Sequence, residues 1–120
     1  MNNLHITENS QCHLWSNSSR SSTDLQNSLK VIKTYTDQSH LIRYLKQCQQ
    51  CPQLYFYEFY EEIDWIGGND PQYRTWIPID DQITGDQLNL LNHFEIQQFR
   101  RIIIDWPKDQ SEPGQPQKII

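Results

Sequence analysis

The chain has no apolar run near the ~20 residues a membrane helix needs. Its longest, Ile102-Ile103-Ile104, is cut short by Asp105. The opening Met-Asn-Asn-Leu-His-Ile-Thr-Glu has neither a basic segment nor an apolar one, so no signal peptide is expected. Three cysteines are an odd number and too few for a disulfide framework, which reads as reduced thiols and a cytoplasmic compartment. No Gly-rich phosphate loop, nucleophile elbow or His-Glu-x-x-His occurs, so no catalytic motif is present. Basic residues are few and dispersed. The best clusters, Arg43 with Lys46 and Arg100-Arg101, fall short of the patch a phosphate backbone requires, which argues against a nucleic-acid partner.

What remains is polar but foldable. Hydrophobic residues are 36% of 120, and the mean hydropathy is −0.80. Four Trp and six Tyr compensate, because large rings bury much area per residue and disordered chains lack them. The length suits one domain.

Composition divides the chain into three parts. Residues 1–28 are dominated by Asn, Ser, Thr and Gln and are expected to form a largely flexible arm, with Leu14-Trp15 as its one anchor. Residues 29–106 carry the domain. Residues 107–120 read as a loose tail rich in Pro, Gln and Lys.

Within the domain, Leu29 to Thr36 is β-rich. Leu41, Tyr44, Leu45 and Cys48 recur at helical spacing, predicting a helix capped by Asp37 or Ser39 and stopped by Pro52. Leu54 to Ile66 alternates as a strand, with Glu61 out of phase and a bulge there as one explanation. Gly67 to Pro71 is a turn, and Tyr73 to Ile79 returns as an edge strand, since Pro78 cannot donate to a ladder. Pairing Ile66 with Gln72 sets Glu62 opposite Trp76 and Asp64 opposite Arg74. Thr84-Gly85-Asp86-Gln87 resembles a capping box and predicts a second helix through Leu88, Leu91 and Phe94. Ile102 to Ile104 is then a short strand. The expected fold class is α+β in the order β-α-β-β-α-β, two helices packed on one mostly antiparallel four-stranded sheet.

Charge is distributed unevenly. Residues 58–86 hold eight acids against one base, Arg74, for −7, while the rest holds seven acids against nine bases, for +2. The expected face combines Glu58, Tyr60, Glu62, Asp64, Arg74 and Trp76, with Asp80 and Asp81 at its flank. Acids interleaved with exposed aromatics suit a surface that docks on a basic protein; charged edge strands also serve simply to prevent sheet aggregation.

Cys48-Gln49-Gln50-Cys51 has zinc-knuckle spacing, and Cys12 with His13 would complete a tetrahedral set. Against it stand Cys48 on the apolar stripe of the expected helix, the awkward adjacency of Cys12 and His13, and the lack of a second Cys-x-x-Cys. No zinc and no cofactor are therefore expected. Redox chemistry fits less well still, because the pair lies at a helix C-terminus rather than its N-terminus. His5, His40 and His93 are scattered, although His93 could meet a carboxylate of the 58–64 stretch in space.

These features together read as a small cytoplasmic binding protein with an acidic-aromatic hairpin face and a basic protein partner, and with no nucleic-acid or membrane contact. An inhibitor or immunity protein that neutralises a toxin or nuclease has this size and charge. An accessory subunit, which would expose an apolar patch, and a small acid–base enzyme are the alternatives.

Overall fold

The computed structural model of the protein describes residues 4–120. Six antiparallel strands form one sheet in sequential order: β1 (Leu29–Gln38), β2 (Leu41–Cys48), β3 (Leu54–Glu61), β4 (Gln72–Ile79), β5 (Arg101–Trp106) and β6 (Gln117–Ile119). Three short helices accompany them, α1 (His13–Ser16), α2 (Ser22–Asn27) and α3 (Gln82–Leu88), with a 3₁₀ turn at Glu95–Gln98. This corrects the expected four-stranded, two-helix sandwich.

The largest difference is β2, which occupies the segment predicted as the first helix. Both sides of β2 are covered, so apolar residues fall at both parities and hide the alternation. Leu45 points to one side, and Tyr44 and Cys48 to the other. The spacing Leu41, Tyr44, Leu45, Cys48 imitates a helix by coincidence. Ser39-His40 turns the chain, and β1 pairs with β2 from Leu29↔Cys48 to Gln38↔Leu41. Two register shifts in β1, at Val31/Lys33 and Thr34/Thr36, mark bulges on this edge strand.

The β3–β4 register also differs from expectation. Gln72 pairs with Glu61 rather than Ile66. Glu61 ends β3 rather than bulging, and residues 62–71 form a longer connection. Because the shift is odd, every β4 side chain changes face relative to β3. Trp76 consequently stands opposite Tyr57, not Glu62. Nor is β4 an edge, since β5 pairs with it from Gln72 to Trp76. Pro78 lies beyond that ladder, where a missing N–H costs nothing, and its carbonyl accepts from Thr7 N at 2.9 Å.

The sheet has a core on each face. On one, Cys12, Leu14 and Trp15 from the α1 segment and Leu25 from α2 pack on Tyr55, Tyr57, Trp76, Ile102 and Ile104. The segment expected as a flexible arm thus supplies four residues to this core. Its sequence signal is a capping box: Ser21 Oγ accepts from Asp24 N, and the Asp24 carboxylate accepts from Ser21 N. On the other face, Leu45, Phe56, Ile77 and Ile79 pack beneath Leu88 of α3 and Ile96 of the 3₁₀ turn. The cap of α3 is Asp81, which accepts from Thr84 N at 2.9 Å; the helix starts earlier and is shorter than predicted. In the tail, Gln117–Ile119 pairs with β5. Among the described residues, no helix is long and apolar enough to cross a membrane.

Candidate functional site

The expected acidic face is dispersed by this register. Glu58, in mid-β3, is completely buried, and Trp76 is buried on the opposite face with its ring 5.2 Å from that of Tyr57. Arg74 shares the Trp76 side and lies over the Phe59 ring at 4.8 Å. Asp64 organises the 62–71 connection. It accepts from Gly67 N at 2.9 Å and Ile66 N at 3.2 Å, and it pairs with Lys108 at 2.8 Å. The Lys108 ammonium, followed by those amides, holds its carboxyl down at about 2. Asp80 accepts from the Thr7 hydroxyl, and Asp81 caps α3 and meets His5 at 3.0 Å. Asp64, Asp80 and Asp81 are therefore committed to turns and caps at two ends of the β3–β4 hairpin. Of the expected face, Glu62 and Asp80 stay exposed and Tyr60 is half-buried.

A different cluster forms around Tyr60. Arg43 of β2 stands directly across from Glu58. Its Nε and Nη2 donate to Glu58 Oε2 at 3.0 and 2.8 Å. The other carboxylate oxygen, Oε1, meets His93 Nδ1 at 2.5 Å. Arg43 Nη1 donates to the Asn89 carbonyl at 3.1 Å, tying the α3 C-terminus to the sheet. A buried carboxylate requires this degree of pairing, because desolvation without it costs several kcal/mol. The His93 ring stacks on Tyr60 with centroids 3.9 Å apart and planes at 7°. Phe94 meets both rings edge-on.

Above this stack lies an open, mainly apolar cavity of about 480 Å³, lined by Leu41, Arg43, Tyr60, Leu90, His93 and Phe94 among others. Leu90 and Phe94 stand at its mouth, 82% and 71% exposed. Tyr73 extends the aromatic cluster, 5.9 Å from His93 and 6.4 Å from Tyr60. Burial, and next the carboxylates of Glu62 and Asp105, push the Tyr73 phenol up, and Asp105 stands directly across from Tyr73 on β5.

The cluster contains a carboxylate-oriented imidazole, the arrangement an acid–base enzyme needs. Arg43 occupies the second Glu58 oxygen, so the carboxylate is spent on holding Arg43 and His93 in place. Binding is the chemistry that an apolar wall with fixed polar groups supports. Phe94 escaped as a surface residue because the predicted helix carried it on one stripe with Leu88 and Leu91, and Leu90 lay off that stripe. Arg43 left a faint signal as a base set between Ile42 and Tyr44 in β2.

The fold also assembles the cysteines. The sulfurs of Cys12, Cys48 and Cys51 all lie within 4.8 Å of one another, the first two buried and the third half-buried. His13 Nδ1 is 3.9 Å from Cys48 Sγ. Burial pushes the Cys12 thiol up to about 12. The premise that Cys48 belongs to an apolar helix stripe no longer applies: Cys48 ends β2, and Cys51 sits in the β2–β3 turn.

No protein-family model, curated protein or solved structure matches this chain.

Proposed function

We propose that the protein is a small binding module, acting in a reducing compartment such as the cytoplasm, that docks on a basic protein partner. The single observation carrying this reading is the pair Leu90 and Phe94, exposed over an aromatic cavity whose floor is held rigid by Arg43, Glu58 and His93. Exposed apolar side chains beside a preformed pocket are the usual anchors of protein interfaces. Exposed Glu62, and Asp105 across from Tyr73, add acidic groups beside the aromatic cluster, which favours a basic partner. The docking surface is thus the Tyr60–Tyr73–His93–Phe94 cluster rather than the Trp76 side of the hairpin. Inhibition of a basic toxin or nuclease belongs to this class of function.

A second reading, an accessory subunit of a larger complex, draws on the same apolar pair and on the commitment of Asp64, Asp80 and Asp81 to internal contacts. Salt separates the two. The test immobilises the full chain, recovers a partner from the native host and follows binding at low and moderate salt. Phe94→Ala is expected to weaken binding by about 2 kcal/mol, mostly through faster dissociation. Glu62→Lys is expected to slow association several-fold at low salt only. Binding insensitive to Phe94→Ala would end the docking proposal. Sensitivity to Phe94→Ala with no salt dependence would instead select the accessory subunit.

A further inference from the structure

Two segments distant in the chain converge on the thiol cluster. Cys12 and His13 open α1, Cys48 closes β2, and Cys51 lies in the turn leading to β3. The Cys-x-x-Cys turn sets Cys48 near Cys51, but nothing in local sequence requires Cys12 to meet them. They are brought together because Leu14, Trp15 and Leu25 pack over the sheet beside Tyr55. Backbone hydrogen bonds then hold the turn, from Cys48 N to Gln53 O at 3.0 Å and from Gln49 N to Ser28 O at 2.9 Å.

We propose that Cys12, Cys48 and Cys51 bind one thiophilic divalent ion, zinc in the first instance, with His13 as the fourth ligand. A tetrahedral ion with metal–sulfur bonds of ~2.3 Å places its sulfurs about 3.8 Å apart. The three sulfurs here, all within 4.8 Å of each other, need only a small contraction to reach that spacing. His13 Nδ1, 3.9 Å from Cys48 Sγ, stands outside the three-sulfur set and would turn its half-buried ring toward it to become the fourth ligand. Three thiolates and an imidazole in tetrahedral array select zinc over magnesium or calcium, which take oxygen ligands. The spacing is that of one ion, not of a multinuclear cluster.

The surroundings suit thiolates. Gln50 N donates to Cys48 Sγ at 3.5 Å, the backbone-to-sulfur contact a Cys-x-x-Cys turn offers its first ligand. The Tyr55 phenol, wholly buried beside Cys12, has a hydroxyl with no hydrogen-bond acceptor. A Cys12 thiolate would accept that proton donor. Binding would release the three thiol protons to solvent. With Cys12 and Cys48 buried and four ligands from the chain, the site is closed, as structural zinc sites are. It would clip the N-terminal segment to the β2–β3 hairpin and restrain a long loop of the unfolded chain.

The experiment uses the full chain, purified in reductant without chelator. Elemental analysis is expected to give one zinc per chain. The chelated protein, titrated with cobalt, is expected to show the visible bands of a tetrahedral ion and a thiolate-to-cobalt charge-transfer band, saturating at one equivalent. Cys51→Ser, at the half-exposed ligand, should keep the fold by circular dichroism while the charge-transfer band drops to that of two thiolates. His13→Ala should keep the three-thiolate band and weaken cobalt binding by about tenfold or more. Less than a tenth of an equivalent of zinc together with no tetrahedral cobalt spectrum would overturn the proposal. So would a disulfide between any two of the three cysteines in protein kept under reductant.

Discussion

On the face covered by α1 and α2, the sheet buries Tyr55, Tyr57, Trp76, Ile102 and Ile104 against Leu14, Trp15 and Leu25. On the face covered by α3 it buries Leu45, Phe56, Ile77 and Ile79, and beside them a carboxylate and a guanidinium. The first face is sealed by ring and aliphatic contact, with thiols at its edge. The second is pinned by directed bonds from Arg43 and His93 to Glu58. Apolar burial is forgiving, because contacts can be lost one at a time. A buried ion pair is all-or-none, because removing one partner strands the other. The directed face should therefore be the more fragile to single substitution and the apolar face the more graded.

Glu58→Ala is the severest test. It leaves Arg43 buried without its anion and frees His93 from the sheet, so a loss of about 3–5 kcal/mol is expected in urea denaturation. A loss under 1 kcal/mol would show that water replaces the carboxylate and that the two faces do not differ in kind. The double variant Arg43→Met with Glu58→Met should recover much of the loss, since a buried pair is often replaceable by apolar volume.

Leu14→Ala probes the apolar face. It removes a completely buried side chain that pins the N-terminal segment, and a loss of about 2–5 kcal/mol is expected, at the lower end if the segment collapses onto the gap. Retention of full stability would mean that residues 4–28 add nothing to the domain.

The smallest effect concerns Lys46, whose ammonium lies 4.0 Å from the Tyr57 ring centroid on the apolar face. Burial, with Arg74 adding repulsion, lowers its pKa to about 8. Between that value and the ~10.4 of an unfolded lysine, the unfolded chain binds more protons than the folded one, so stability rises as pH increases through this window. Lys46→Met should remove the rise and be slightly more stable than wild type at neutral pH. Subtracting the two stability–pH curves isolates it from the thiols and phenols that titrate nearby. A difference curve flat from pH 8 to 10.5 would mean that the ammonium is fully solvated.

How much of this was legible depends on how many faces each strand buries. The β1 and β5 segments and the end of β4 at Ile79 were readable from β-branched and aromatic content. β2 was not, because coverage on both sides places apolar residues at both parities, and Leu41, Tyr44, Leu45 and Cys48 then satisfy a helical template equally well. Glu58 read as a solvent charge because alternation cannot reveal Arg43 on the neighbouring strand. The N-terminal segment read as flexible by composition, although Ser21 and Asp24 carried a helix cap. The thiol set was visible as residue types, but its assembly was obscured by the helix assigned to Cys48.

By itself, the sequence determined what local chemistry can determine: one small core rich in rings, strands separated by Gly and Pro turns, three thiols, and an acidic stretch centred on one hairpin. Register and coverage belonged to the tertiary structure. An odd shift of the β3–β4 pairing exchanges the faces of every β4 side chain, and that shift sets Tyr57 and Trp76 together beneath α1 and α2. The same packing turned Glu58 inward and drew Cys12 to Cys48 and Cys51. Contacts between residues distant in the chain obey volume and pairing in three dimensions, which no pattern along one strand records.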